Sequence, residues 1–321
     1  MSKIAVEKKN LDFKELLIKY KTLVGLVSLI AVVAVLSPSF FTVSNLLNVL
    51  RQTSINAVIA AGMTFVILTG GIDLSVGSIL GFSGAMAASL LVSGQNMFVV
   101  VLLSLTVGTG IGFLNGVIIS KGKLQPFIAT LATMTVLRGA TLVFTDGKPI
   151  SFGSSEGALA FSNIGGGNLL GIPNPVLIMI AVFIVCYYVL HQTRIGRYTY
   201  ALGGNEESTK LSGINTDKVK VFVYTVSGLL SSIAGIIITA RLFSAQPNAG
   251  SGYELDAIAA VVLGGTSLTG GKGKIVGTIV GALIIGILSN ALNLLNVSSY
   301  FQMIAKGIVI LIAVLLDRKK D

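Results

Sequence analysis

The stretch MFVVVLLSLTVGTGIGFLNGVII, residues 97–119, decides the fold class. It runs without a charged side chain for longer than the roughly 20 apolar residues a helix needs to cross a bilayer core. In water such a helix would present apolar surface on every side. In lipid it is stable alone, because a helix satisfies its own backbone hydrogen bonds. The whole chain has the same character. Of its 321 residues 53% are hydrophobic and 11% charged, where a soluble domain carries roughly a quarter charged residues. Mean hydropathy is +0.88.

Working outward, apolar runs lie near 22–37, 55–69, 76–92, 97–119, 127–144, 174–190, 221–242, 253–270, 275–294 and 300–316. They predict an all-α integral membrane protein of about ten transmembrane helices. The membrane domain covers 22–316, between a tail at 1–21 and a short tail at 317–321. Short loops rich in Lys and Arg stay cytoplasmic. Alternation from a cytoplasmic N-terminus places Lys121 and Lys123 inside, then Arg194, Arg197, Lys210, Lys218 and Lys220, then Lys272 and Lys274. Arg318, Lys319 and Lys320 fall inside too, and the long 145–173 loop falls outside with Lys148, Asp146 and Glu156. The N-terminal lysines are followed by no small-residue cleavage site, so the first span reads as uncleaved.

The net charge of +10 therefore reads as a topology signal and not as a nucleic-acid groove. A single cysteine, Cys186, excludes an intrachain disulfide, and the single histidine, His191, sits at a helix C-terminus where a donor suits the dipole. Neither a Ser-His-Asp set nor a His/Cys metal cluster can be assembled. GGTSLTGGKGK at 264–274 imitates a phosphate-binding loop, but Thr266 stands where its first Gly belongs and Gly273 where its Ser/Thr belongs. The chain is expected to be no enzyme and to need no cofactor of its own.

Polar features inside the apolar runs are the candidate site residues. Gly108, Gly112 and Gly116 form a stripe suited to close helix approach. GGIDLSVGSILG at 70–81 resembles GGTSLTGGKGKIVG at 264–277, a same-direction repeat with an interrupted helix in each copy. Asp73 at such an interruption is either an N-cap for the helix that follows or part of a transport path, with Ser75 beside it. Arg138, midway along a span, faces a polar interior or an acid. Asn290, Asn293 and Asn296 share a stripe that either meets solute hydroxyls or glues helices together.

The loop at 191–220 is too patterned for a plain turn. Gly203, Gly204 and Asn205 signal a turn, Glu206 and Glu207 suit a helix start, and Leu211 and Ile214 give a short helix an apolar side before Gly213 and beyond. That side is covered by the protein's own helix ends or by a soluble partner. On the other membrane face Gln246, Asn248, Tyr253, Glu254 and Asp256 precede a span. Asp256 reads as a cap, and Glu254 as either a first-turn acid or a charge for a docking partner.

GGIDLSVGS at 70–78, GRYTYALGGNEESTKLSGI at 196–214 and SAQPNAGSGYELDAIAAVVLGGTSLTGGKG at 244–273 together resemble the ribose/xylose/arabinose-type permeases of bacterial ABC importers, most closely the ribose type. The resemblance runs from about Pro38 to Lys320. It implies a homodimer in the bacterial inner membrane with a sugar path between two copies, a sugar-binding protein docking outside and an ATP-binding subunit inside. It further implies that residues 203–214 meet the ATP-binding subunit. The rivals are an ion-coupled secondary transporter, which wants carboxylates in broken helices, and a channel, for which no filter-like repeat is present.

Overall fold

The computed structural model describes residues 21–318. The tail residues before 21, and Lys319 and Lys320, lie outside the described residues. Thirteen helices and four two-residue strands are described. Six helices are long and apolar enough to span a bilayer: α2 (Val43–Leu68), α4 (Met97–Lys121), α5 (Pro126–Phe144), α7 (Asn174–Gln192), α10 (Thr216–Leu242) and α12 (Ile275–Leu294). Three more, α1 (Lys21–Leu36), α3 (Val76–Val92) and α13 (Ser299–Arg318), are apolar with shorter qualifying stretches. The remaining helices are α6 (Glu156–Gly166), α8 (Arg194–Gly204), α9 (Glu206–Leu211) and α11 (Tyr253–Leu263).

The expected span at 253–270 is corrected. Its helix, α11, has 11 residues, so it rises about 16 Å and covers about half a bilayer core. Composition hid the break, because Gly264 to Thr269 continues the uncharged run after the helix has stopped.

α2 and α10 form the centre. From Thr53 to Leu68 every residue of α2 is buried. α4 lies antiparallel to α10, and the glycine stripe is what lets it. An added Cβ at Gly108 would meet Ser232 and the Gly228 carbonyl, and at Gly116 it would lie 2.6 Å from the Val221 Cα. At Gly112 it would strike the Tyr224 carbonyl. α12 runs antiparallel to α2 on its other side, with Thr64 and Thr278 hydroxyls 2.8 Å apart.

Two segments interrupt the bundle. Residues 69–75 leave the end of α2 and turn back inward, so that α3 begins beside Ser227, near the middle of α10. Residues 243–252 fold back from the end of α10 and deliver the start of α11 against the start of α3. Gly250 and Gly77 are in backbone contact there. The 17-residue α3 and the half-length α11 thus begin side by side inside the bundle. The two glycine-pair turns also touch each other, the Gly271 N–H donating to the Leu68 carbonyl at 2.9 Å. Both repeat copies therefore turn at the same end of the molecule.

Strand β1 (Ile150–Ser151) pairs antiparallel with β4 (Ser244–Ala245). β2 (Asn168–Leu169) and β3 (Ile172–Pro173) form a hairpin before α7.

Candidate functional site

The 69–75 break is built around Asp73, which is fully buried. One carboxylate oxygen accepts from the Ser75 N–H (3.0 Å) and the Ser75 hydroxyl (2.6 Å); the other accepts from the Ser227 hydroxyl (2.8 Å). The expected N-cap role is corrected in detail. Ser75 occupies the cap position of α3, and Asp73 closes the turn two residues ahead of it, a local bond typical of Asp. Asn115 extends the network, donating to the Ser75 hydroxyl (2.9 Å) and accepting from Thr133 (2.6 Å). Thr130 binds the same loop, accepting from the Leu74 N–H (3.1 Å). Helices α4, α5 and α10 thus pin the break, and the side chains of Asp73 and Ser75 are buried in this conformation.

The second centre is the loop end of α8 and α9. Gly203 and Gly204 do not form the expected turn. They are the last residues of α8, and the chain breaks at Asn205, whose side chain accepts from the Ser208 N–H at 2.7 Å and caps α9. Glu206 and Glu207 occupy the first turn of α9, where acids favour the dipole. At its other end the Gly213 N–H donates to Lys210 O and the Ile214 N–H to Thr209 O, with Gly213 at φ 81°. This is the Schellman arrangement, which glycine permits. Glu206 also pairs with Lys220 at 2.6 Å, tying α9 to α10.

Gly203 has a reason of its own. A Cβ there would strike the Leu68 carbonyl and lie 2.5 Å from the Gly271 nitrogen. At Gly270 it would lie 2.8 Å from the Gly70 nitrogen. The end of α8 is therefore seated backbone to backbone on both glycine-pair turns, and the Tyr200 hydroxyl donates to Gly273 O at 3.0 Å. On the opposite side of this junction, Leu211 is 83% exposed. Among the described residues no helix covers Leu211, while Ile214 at the end of the same side is half-buried.

Near the starts of α3 and α11, Arg138 has a partner that the sequence could not name. Its guanidinium donates to Ala249 O at 2.9 Å, satisfying a carbonyl that the non-helical segment leaves free. Glu254 accepts from the Gly252 N–H at 3.2 Å, and its other oxygen is buried against the Gly77 position without a hydrogen-bond partner. It points into the packing beside α3. Asp256 makes no cap bond; it accepts from Lys306 at 2.7 Å, which corrects the cap expectation. Lys306 was missed, although a lysine inside the apolar run of α13 was signal enough.

The amide stripe resolves into helix contacts. Asn290 exchanges two hydrogen bonds with Asn45, at 2.8 and 3.1 Å, joining α12 to α2. Asn293 accepts from Gln302 at 2.8 Å, and Asn296 lies beyond the helix. Gln246 donates to Ser244, Asn248 is exposed and Tyr253 is half-buried. Among the described residues no group of His, Cys, Asp and Glu is placed to hold a metal ion.

Residues 45–314 match the family described as branched-chain amino acid transport system / permease component. The ribose import permease protein of Haemophilus influenzae is 60% identical over 97% of this chain and 96% of its own length. Its counterpart from Bacillus subtilis is 55% identical over 99% and 98%. The D-allose transport system permease protein of Escherichia coli is 40% identical over 98% and 96%. No solved structure matches. These matches give no support to an ion-coupled carrier.

Proposed function

The chain belongs to the permease-component family of these transport systems and is a non-catalytic, multi-pass membrane subunit, and from that premise we propose that it is the ribose-translocating permease of an ATP-driven importer. The near-full-length likeness to two ribose permeases carries the choice of sugar. The geometry of α8 and α9 carries the coupling. A soluble ATP-binding subunit covers Leu211 on the exposed side of α9, and its movement reaches the bundle through Gly203, where the loop end packs against Leu68 and Gly271. Through residues 69–75 the same movement reaches α3.

Two copies make the path. α5 is largely uncovered, yet it carries Arg138 and exposes Thr135 and Gly139. The same face also exposes apolar Phe127, Val136 and Val143, and the second copy is placed against this mixed surface. All ten apolar runs enter the membrane, 253–270 as a half-helix, with both termini cytoplasmic in the bacterial inner membrane and 145–173 outside. A sugar-binding protein delivers ribose to that face. Exposed Asn248 is the residue of its stretch best placed to meet it, since Glu254 is engaged inward. The subunit uses no cofactor.

Reconstitution tests this. Vesicles holding the chain with its ATP-binding subunit, given the binding protein, should take up labelled ribose only when ATP is supplied. Uptake of a branched-chain amino acid instead, or ribose uptake without the ATP-binding subunit, would overturn it.

A further inference from the structure

The β2–β3 hairpin pairs Leu169 with Ile172 across a two-residue turn. Leu170 and Gly171 fill that turn with φ of 53° and 81°. Both central residues of such a turn are left-handed, so Asn-Gly or Asp-Gly suits it best. Leucine is a poor choice there on backbone grounds. It is also a poor choice for water, since Leu170 is 95% exposed, with Leu169 at 61% and Ile172 at 44% beside it. Neither the turn nor the folded core accounts for this apolar tip.

We propose that the hairpin tip is a lipid anchor, with Leu169, Leu170 and Ile172 seated in the membrane interface at the entrance of α7. Three observations favour lipid as the occupant. The hairpin leads directly into α7, which exposes apolar Ile180, Ile184 and Val185. Residues 157–190 contain no charged side chain, so the patch lacks the complementary charges that steer a soluble protein to its site. The hairpin base is fixed: the Asn174 N–H donates to Gly167 O at 2.9 Å and its amide to Asn163 O at 2.7 Å. A rigid tip loses little freedom on entering the interface.

The sequence offers a clean reporter, since it contains no tryptophan. Leu170→Trp and, at an ordinary strand position, Leu169→Trp each place a single indole at the tip. A Lys210→Trp chain serves as the water-exposed reference. In phosphatidylcholine vesicles both tip reporters should emit to the blue of the reference. Brominated acyl chains should quench them at least twofold more than the reference. Water-like emission with no quenching by brominated lipid overturns the proposal. So does quenching that disappears when the purified sugar-binding protein is added, which would make the tip a protein-docking surface. Should Leu170→Trp fail to fold, Leu169→Trp decides by the same criteria.

Discussion

At the residue scale, the buried polar groups divide by whether their partners are local. Asp73 holds three hydroxyl or amide donors inside the bundle. Each donor left unsatisfied by removal of a buried acceptor costs roughly 1–3 kcal/mol. Asp73→Ala should therefore lower the thermal midpoint of the purified permease strongly. Asp73→Asn keeps one acceptor oxygen and should lower it much less, because hydroxyls can turn to accept from its amide. Equal midpoints for the two variants would mean that the loop is not held by this carboxylate. Lys306 and Asp256 are a long-range pair, with side chains 25% and 10% exposed. Breaking a buried pair from one side costs about 3–5 kcal/mol, whereas replacing both partners by apolar residues is often neutral; partial exposure places this pair at the low end. Lys306→Met alone should destabilise, and Lys306→Met with Asp256→Leu should recover most of the loss. A double variant as unstable as the single one would assign Asp256 a further partner.

At the scale of elements, the junction under α8 makes a sharp distinction between adjacent glycines. An added Cβ at Gly203 strikes backbone, which cannot swing aside; at Gly204 it meets nothing within 4 Å. Gly203→Ala should abolish ATP-driven uptake or prevent folding. Gly204→Ala should leave uptake intact and add up to about 1 kcal/mol of helix stability. Comparable uptake by both variants, measured at equal expression, would remove Gly203 from the coupling route. Much of this region was legible from residue type. Asn205, Glu206, Glu207 and Gly213 are cap and stop residues whose signals are local, and α9 lies where they put it. Gly203 and Gly204 were misread because a glycine pair is a turn signal only when nothing packs against it. Here the pair ends a helix, and the missing side chain of Gly203 makes room for Leu68 and Gly271. The gap at 243–252 was legible as a loop between two apolar runs, but its inward course was hidden for a different reason. Hydropathy reports the environment of a segment, and a non-helical stretch buried in protein at membrane depth is as uncharged as a helix. Only the location of donors such as Arg138, 111 residues away in sequence, marks where the helix is missing. The Asn45–Asn290 exchange, 245 residues apart, was beyond local pattern in the same way.

At the scale of the whole molecule, the proposed orientation rests on charge and the internal arrangement on contacts, and the two can be tested separately. α10 has 27 residues and so separates its ends by about 40 Å. Gly165 of α6 packs against Ile237 and Arg241 near one end. Near the other, α9 precedes α10 and is tied to it by the Glu206–Lys220 pair. Gly271 touches Gly204 and bonds to Leu68, which places the 264–274 turn beside the α8–α9 loop. Ser155, Lys210 and Lys272 are all exposed, and the native Cys186 is buried. Cysteines at the three exposed positions therefore report sidedness with little background. Whatever the orientation, Lys210→Cys and Lys272→Cys must react from the same side and Ser155→Cys from the other. If the cations set the orientation, a membrane-impermeant maleimide added to intact cells should label Ser155→Cys only, and the two lysine positions should label after permeabilisation. Reversal of all three would invert the charge-based topology while leaving the fold intact. A split between Lys210→Cys and Lys272→Cys would be more serious, because it would separate the two loops whose backbone contact defines the junction and, with it, the proposed route from the ATP-binding subunit to α3.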